Sequence, residues 1–151
     1  MEPRSFIYRK RYMELIITRA KPDDWEFIRE LRNSSSSGFF SQEEISQQQH
    51  AGFMEKYGRK YFVAYNRKEQ RVGFIGEVEG DIRFAVPVAF RGHNIAVSML
   101  NFFEGEASDT VLSAKVKSTN YASIKTFLKA GWVKGSVGKW VTNEEYITFE
   151  K

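Results

Sequence analysis

Three groups of side chains in this sequence have the types and spacing to do chemistry. The first is the run RGHNIAVSML, residues 91–100. Arg91 and Gly92 precede an apolar helical pattern. A helix starting there turns unpaired N–H groups and the positive end of its dipole toward the turn. Such a turn suits an anion, a phosphate above all. The same run also reads as a basic turn before an amphipathic helix, with Ile95, Met99, Phe102 and Phe103 toward the core. The second group is Glu77, Glu79 and Asp81, carboxylates that bracket a turn between two strands. One of them can draw a proton through water. Glu77 and Glu79 share a strand face by the two-residue period, which makes a shared role conceivable. Three solvated turn charges are the equally ordinary alternative. The third is His50, in EEISQQQHAGF. Its imidazole titrates near neutrality and suits proton transfer or a hydrogen bond.

Composition removes other chemistries. The chain has no Cys, which excludes disulfides, zinc-finger chemistry and a cysteine nucleophile. Its two His, His50 and His93, are too few for a multi-His metal site, so no metal is expected. There is no Walker Gly-Lys-Ser/Thr run, and the serines at 34–37 lack a nucleophile-elbow context. No apolar run approaches the ~20 residues that span a bilayer. The start, MEPRSFIYRKRYMELIITRA, is charged and broken, unlike a signal peptide. The expectation is a cytoplasmic protein with no membrane partner. A net charge of +4 attracts anionic ligands, phosphorylated cofactors among them. The basic cluster Arg4, Arg9, Lys10 and Arg11 lies in the first dozen residues. The remainder offers no matching stripe, which argues against nucleic acid as a partner.

The elements that must position these residues follow from pattern. At 151 residues the chain suits one domain, with residues 1–12 a basic extension and 13–151 the fold. The spacing predicts strands at 15–20, 61–65, 71–79, 82–88 and 110–117, and a closing hairpin over 132–150. Helices are predicted over 21–33, over 41–58 with Ser41 and Glu44 as a capping box, over 92–105, and over 118–131 closed by Gly131. The order is β-α-α-β-β-β-α-β-α-β-β, a mixed α/β domain.

That order and two signatures resemble the GNAT acetyltransferases, which bind acetyl-CoA. The family's first signature is an apolar strand with Pro, then Arg/Gln-x-x-Gly-x-Gly/Ala. Here RGHNIA supplies Arg91, Gly92 and Ala96, while Asn94 stands at the central Gly. Pro87 lies one residue early, and Val88 stands where Pro is common. The second signature is Asn-x-x-Ser/Ala with a Gly-aromatic pair beyond, matched by Asn120, Ser123, Gly131 and Trp132. The resemblance covers approximately residues 13–151.

The resemblance implies a mostly antiparallel central sheet flanked by about four helices. Its fourth and fifth strands, 82–88 and 110–117, would splay. It implies that the strand around Val86 and Val88 pairs with the amides of pantetheine. The N–H groups of Gly92, His93, Asn94, Ile95 and Ala96 would receive the pyrophosphate, with Arg91 adding charge. Asn120, Ser123 and Phe127 complete the cofactor side. Many members place a thiolate-protonating Tyr where this chain has Phe127, and Tyr121 is on the wrong side of the helix to replace it. The segment around His50 is similar to one in members that acetylate amino sugars on nucleotide carriers. The activity implied is acetyl transfer to a small amine, with Glu79, Asp81 and His50 as the catalytic candidates. The segment from Phe39 to Phe53 would cover the acceptor, with Phe40 and Phe53 beside His50. Two alternatives stand beside it: a peptide or protein amine as acceptor, and a CoA-binding module without turnover. A homodimer is left open.

Overall fold

The computed structural model describes residues 10–12, 14–35, 43–106 and 112–151. Eight strands among them form one sheet: β1 (Lys10–Tyr12), β2 (Leu15–Arg19), β3 (Tyr61–Tyr65), β4 (Arg71–Val78), β5 (Asp81–Ala85), β6 (Ser113–Lys117), β7 (Val133–Lys139) and β8 (Glu145–Glu150). Their order across the sheet is β1-β2-β3-β4-β5-β6-β8-β7. Every neighbouring pair is antiparallel except β5 and β6. Four helices flank it: α1 (Pro22–Ser34), α2 (Gln47–Tyr57), α3 (Ile95–Glu106) and α4 (Tyr121–Lys129). The expected mixed, mostly antiparallel sheet is therefore present.

Alternation along the strands divides the core between the two faces. On β3, Phe62 and Ala64 pack with Met99, Leu100, Phe102 and Phe103 of α3 and Phe127 of α4. Tyr61 and Val63 pack with Ile28 and Leu31 of α1 and Met54 of α2. The stripe expected on α3 is buried as predicted, at Ile95, Met99, Phe102 and Phe103. β4 is the middle of this arrangement, buried from Val72 to Glu77.

Several boundaries differ from expectation. β1 pairs Lys10–Tyr12 with Leu15–Ile17, so the sheet reaches into the segment set aside as an extension. Three residues cannot be read as a strand from pattern alone. The helix expected from Ser41 begins at Gln47, because the capping box is formed by Ser46 and Gln49. Ser46 Oγ accepts from Gln49 N at 3.1 Å, and Gln49 Oε1 accepts from Ser46 N at 3.0 Å. Glu44 is outside the helix, and Ser41 lies outside the described residues. Gly58 does not stop α2 in a left-handed conformation but continues into a 3₁₀ turn, Gly58–Lys60. β5 ends at Ala85 rather than at Val88. Pro87 has no N–H for a ladder and biases the residue before it to extended backbone, and a 3₁₀ turn follows over Val88–Phe90.

Candidate active site

β5 and β6 share one ladder pair, Asp81 with Ser113. Ser113 N donates to Gly80 O at 2.9 Å. The next donor, Lys115 N, is met by the side chain of Asp81, with Oδ1 at 3.3 Å. A carboxylate thus takes the place of a strand carbonyl, and past it the two strands part. The gap opens into a cleft of about 1520 Å³. The residues nominated from the sequence line it, except His93, which is exposed and outside the lining, and Glu77, which is buried elsewhere; Phe40 lies outside the described residues.

One end of the cleft is built by the turn before α3. Gly92 has φ of +87° and Asn94 φ of +60°, left-handed values that glycine adopts freely and Asn better than most residues. A Cβ on Gly92 would meet nothing within 4 Å. Ser98 N donates to Asn94 O at 3.0 Å, so α3 begins at Ile95, later than the residue 92 expected. The N–H groups of Ile95, Ala96 and Val97 then have no partner within the helix. Arg91 reaches back, its Nε donating to Val86 O at 3.1 Å. Val88, at 77 % exposure, forms the rim. Across the gap Asn120 caps α4, its Oδ1 accepting from Ser123 N at 3.2 Å. Phe127 sits beneath, buried, with its ring centroid 5.1–5.6 Å from those of Phe84, Trp132 and Phe149. Tyr121 is 74 % exposed and outside the lining.

The other end carries the ionisable groups. Asp81 is half-buried, and burial pushes its pKa up while Arg83, with Nε 3.5 Å from Oδ2, pulls it down. His50 is buried, its ring stacked 6.1 Å from Phe53. Burial first, and the charge of Arg29 second, lower its pKa below 6.5, so the imidazole is neutral at pH 7. Glu79 is exposed at the β4–β5 turn, with φ of +53°. Glu77 does not share a role with it, as the strand period suggested. β4 ends at Val78, and the left-handed turn breaks the alternation between them. Glu77 is buried outside this cleft, where Oε1 pairs with Lys60 Nζ at 3.2 Å and Oε2 accepts from Gly80 N at 2.8 Å. It braces the turn. Phe39 and Phe40 lie outside the described residues.

Sequence reasoning missed Arg32, Tyr61, Arg83, Lys129 and Trp140, all of which line the cleft. Two had a signal. Arg83 is two residues after Asp81 on one strand, hence on the same face. Arg32 follows Ile28 by four residues, on the same side of α1. Tyr61, Gly76 and Arg83 form one row across β3, β4 and β5. A Cβ on Gly76 would lie 2.5 Å from the Tyr61 ring, so the missing side chain lets the ring cross the sheet toward Arg83. Among the described residues no cluster of three or more His, Asp or Glu is placed to hold a metal. No helix among them is long and apolar enough to cross a membrane.

No family model matches the sequence, and no curated protein matches it. Solved structures do match. A GNAT-family acetyltransferase of Bacillus anthracis is 15% identical and superposes with a TM-score of 0.75, over 91% of this chain and 94% of that one. The fold is that of the GNAT acetyltransferases. A ribosomal-protein-alanine N-acetyltransferase of Brucella melitensis shares this GNAT fold at 18% identity and a TM-score of 0.75, over 89% of this chain and 98% of that one. So does a spermidine N-acetyltransferase of Vibrio cholerae, solved with CoA and spermine, at 12% identity and a TM-score of 0.77, over 90% and 94%. Residues of both sequence signatures of the GNAT resemblance lie on the cleft wall: Arg91, Gly92, Asn94 and Ala96 of the first, Asn120 and Ser123 of the second. The Gly-aromatic pair lies behind it. Gly131 ends α4 with φ of +88°, and the buried Trp132 donates from Nε1 to Glu104 Oε1 at 2.5 Å.

Proposed function

We propose that this chain is an acetyl-CoA-dependent N-acetyltransferase acting on the primary amine of a small acceptor. The observation that carries the reading is the parting of β5 and β6 at Asp81, with the left-handed turn 92–94 at one end of the gap. The residues present fit the cosubstrate. Free N–H groups at the first turn of α3 and an open space over Gly92 suit a pyrophosphate. Arg91 and Lys129 add positive charge at the cleft wall. The backbone at Val86, just past the last ladder pair of β5, suits the pantetheine amides, and its carbonyl accepts one bond, from Arg91. Acetyl-CoA, when bound, supplies the acetyl group as a thioester.

The other residues act on the amine. It must be neutral to attack, and Asp81 at the apex of the gap is placed to take its proton, directly or through water. Glu79, exposed at the turn, passes protons to solvent. His50, neutral at pH 7, orients the acceptor by a hydrogen bond or accepts a proton from it. Phe127 closes the cleft with an apolar wall and has no proton to give. The proton for the leaving thiolate therefore comes from water or from the attacking nitrogen, which turns cationic once it has bonded to the thioester carbon. An amino sugar, free or nucleotide-linked, suits the pairing of Phe53 with His50, an aromatic face beside a hydrogen-bonding group. A cytoplasmic protein is the matching setting, since acetyl-CoA is supplied there.

Calorimetry with acetyl-CoA, followed by thiol release over amino sugars, amino acids, polyamines and peptides, tests the reading. Binding with turnover of a small amine is the expected result. Binding without turnover of any amine would leave a CoA-holding module, and turnover of peptides alone would move the acceptor class. Failure to bind acetyl-CoA would overturn the proposal.

A further inference from the structure

Three donors of the cleft converge at the acceptor end, on the side away from the phosphate turn. Arg32 comes from α1, Tyr61 from β3 and Arg83 from β5. Tyr61 and Arg83 belong to one cross-strand row whose middle member, Gly76, has no side chain. Arg83 and Arg32 are close enough that each acts on the phenol of Tyr61, and Arg83 repels the charge of Arg32. Burial pushes the Tyr61 hydroxyl up to about 12, so at neutral pH it keeps its proton and stays a donor. Arg32 is anchored by Nη1, which donates to Glu43 O at 2.9 Å. Arg83 pairs with Asp81, its Nε 3.5 Å from Oδ2, and lines the same cleft.

Two like charges drawn together in a half-buried cleft repel each other, and an anion between them removes that cost. Guanidinium forks match the two oxygens of a carboxylate or phosphate better than any other side chain does. Ile28, Phe53 and Phe74 around them limit the water that would otherwise screen the interaction. Asp81 and Glu79 stand beside this cationic group on the strand and turn next to it. The arrangement is two-signed, with donors for an anion next to carboxylates for an ammonium group.

Resting on the transferase reading above, we propose that the acceptor amine carries an anionic group, a carboxylate or a phosphate, held between Arg32 and Arg83 with Tyr61 donating to it. Amino acids and phosphorylated or nucleotide-linked amino sugars have this chemistry. Polyamines do not.

Two measurements on the full chain test it. In the first, thiol release from acetyl-CoA is compared for glycine and glycinamide, and for glucosamine 6-phosphate and glucosamine. The anionic member of at least one pair is expected to show at least about ten-fold higher kcat/KM, because a site built for a charged group rejects the analogue lacking it. Which pair responds separates a carboxylate from a phosphate. Arg32→Met should remove that preference through KM, leave acetyl-CoA affinity unchanged, and be partly rescued by Arg32→Lys. Equal use of neutral and anionic amines, a preference for spermine, or a preference that survives Arg32→Met would overturn the proposal. The second measurement needs no turnover. N-acetylglycine and inorganic phosphate are titrated into the CoA-loaded protein while the Arg Nε–H signals are followed by NMR. At least one probe should shift two Arg signals, and Arg32→Met should weaken its binding several-fold. No shift with either probe would refute the anion site whatever the kinetics. Arg32-dependent shifts without any thiol release would instead refute the transferase reading and leave the anion site standing.

Discussion

Lys129 Nζ donates to Asn94 Oδ1 at 2.6 Å, tying α4 to the left-handed residue of the turn before α3. Asn94 stands where the GNAT signature has glycine, and it holds the left-handed φ of +60° that the turn needs. Its side chain therefore fills space a glycine would leave open, but it also holds an ammonium group at the cleft wall. Asn94→Gly should bind acetyl-CoA as well as the parent or better. Lys129→Met should weaken binding several-fold, consistent with a charge effect of about 1 kcal/mol. Gly92→Asp, which places a carboxylate against the phosphate at φ of +87°, should weaken it by at least as much. Calorimetry on the three variants reads all of this, and unchanged affinity in a folded Gly92→Asp variant would displace the phosphate from the turn.

Asp81 should set the acidic limb of the rate profile. Burial raises its pKa, so the carboxylate is fully ionised only above the ordinary range of such groups. The limb of kcat/KM is expected above pH 3.8, and Asp81→Asn should abolish it with a large loss of rate. The stability sign is the reverse of a salt-bridged acid. The folded state holds this proton more tightly than the unfolded chain, so the contribution of Asp81 to stability falls as pH rises from 3.8 through the raised value. Chemical denaturation at several pH values, with Asp81→Asn as control, measures that term.

Phe127 is both cleft wall and core. Phe127→Tyr should fold normally and either raise turnover or leave it unchanged, since a hydroxyl there restores an acid beside the thiolate. A large loss in a well-folded Tyr variant would mean that the wall must be apolar. Phe127→Ala, by contrast, removes the ring shared by Phe84, Trp132 and Phe149 and should cost about 3–5 kcal/mol in denaturant unfolding.

His50→Ala should raise the acceptor KM or lower turnover and leave acetyl-CoA affinity nearly intact, because the cofactor side is built from other elements. Burial holds the imidazole neutral, so an NMR titration should find its pKa below 6.5. Folding then disfavours the protonated form, and the stability contributed by the neutral ring is lost as pH falls from 6.5 through the lowered value.

A buried carboxylate far from the chemistry should matter to stability alone. Asp24 is fully buried at the start of α1, accepting from Lys21 N and Arg71 Nε at 2.9 Å each and from the Tyr65 hydroxyl. Asp24→Ala leaves Arg71 and Tyr65 without that partner and should cost about 3 kcal/mol, with the kinetics of surviving protein unchanged.

Much of this protein is legible in its sequence, and the reasons are local. Ile95, Met99, Phe102 and Phe103 announce α3 by spacing. Gly131 marks the end of α4 because a left-handed φ demands a particular residue type, whereas the start expected at residue 118 lies at Tyr121, behind an Asn120 cap. Asn94 suits the turn before α3 for the same reason, since Asn tolerates a left-handed φ better than most residues. Where competing local signals existed, pattern misled. The helix expected from Ser41 starts instead after Ser46, beside Ile45, whose carbonyl accepts from Arg29 Nη1 and Asn33 Nδ2 of α1. Glu77 and Glu79 look equivalent by period, but a turn that begins at Val78 buries one beside Lys60 and exposes the other. Non-local facts left no trace in the pattern of the residues. That β5 and β6 part was expected only through the resemblance to a known fold, and that Tyr61 crosses Gly76 toward Arg83, with Arg32 arriving from α1, follows from strand order, register and packing. Periodicity reports which face a residue takes, and only tertiary structure decides which faces meet.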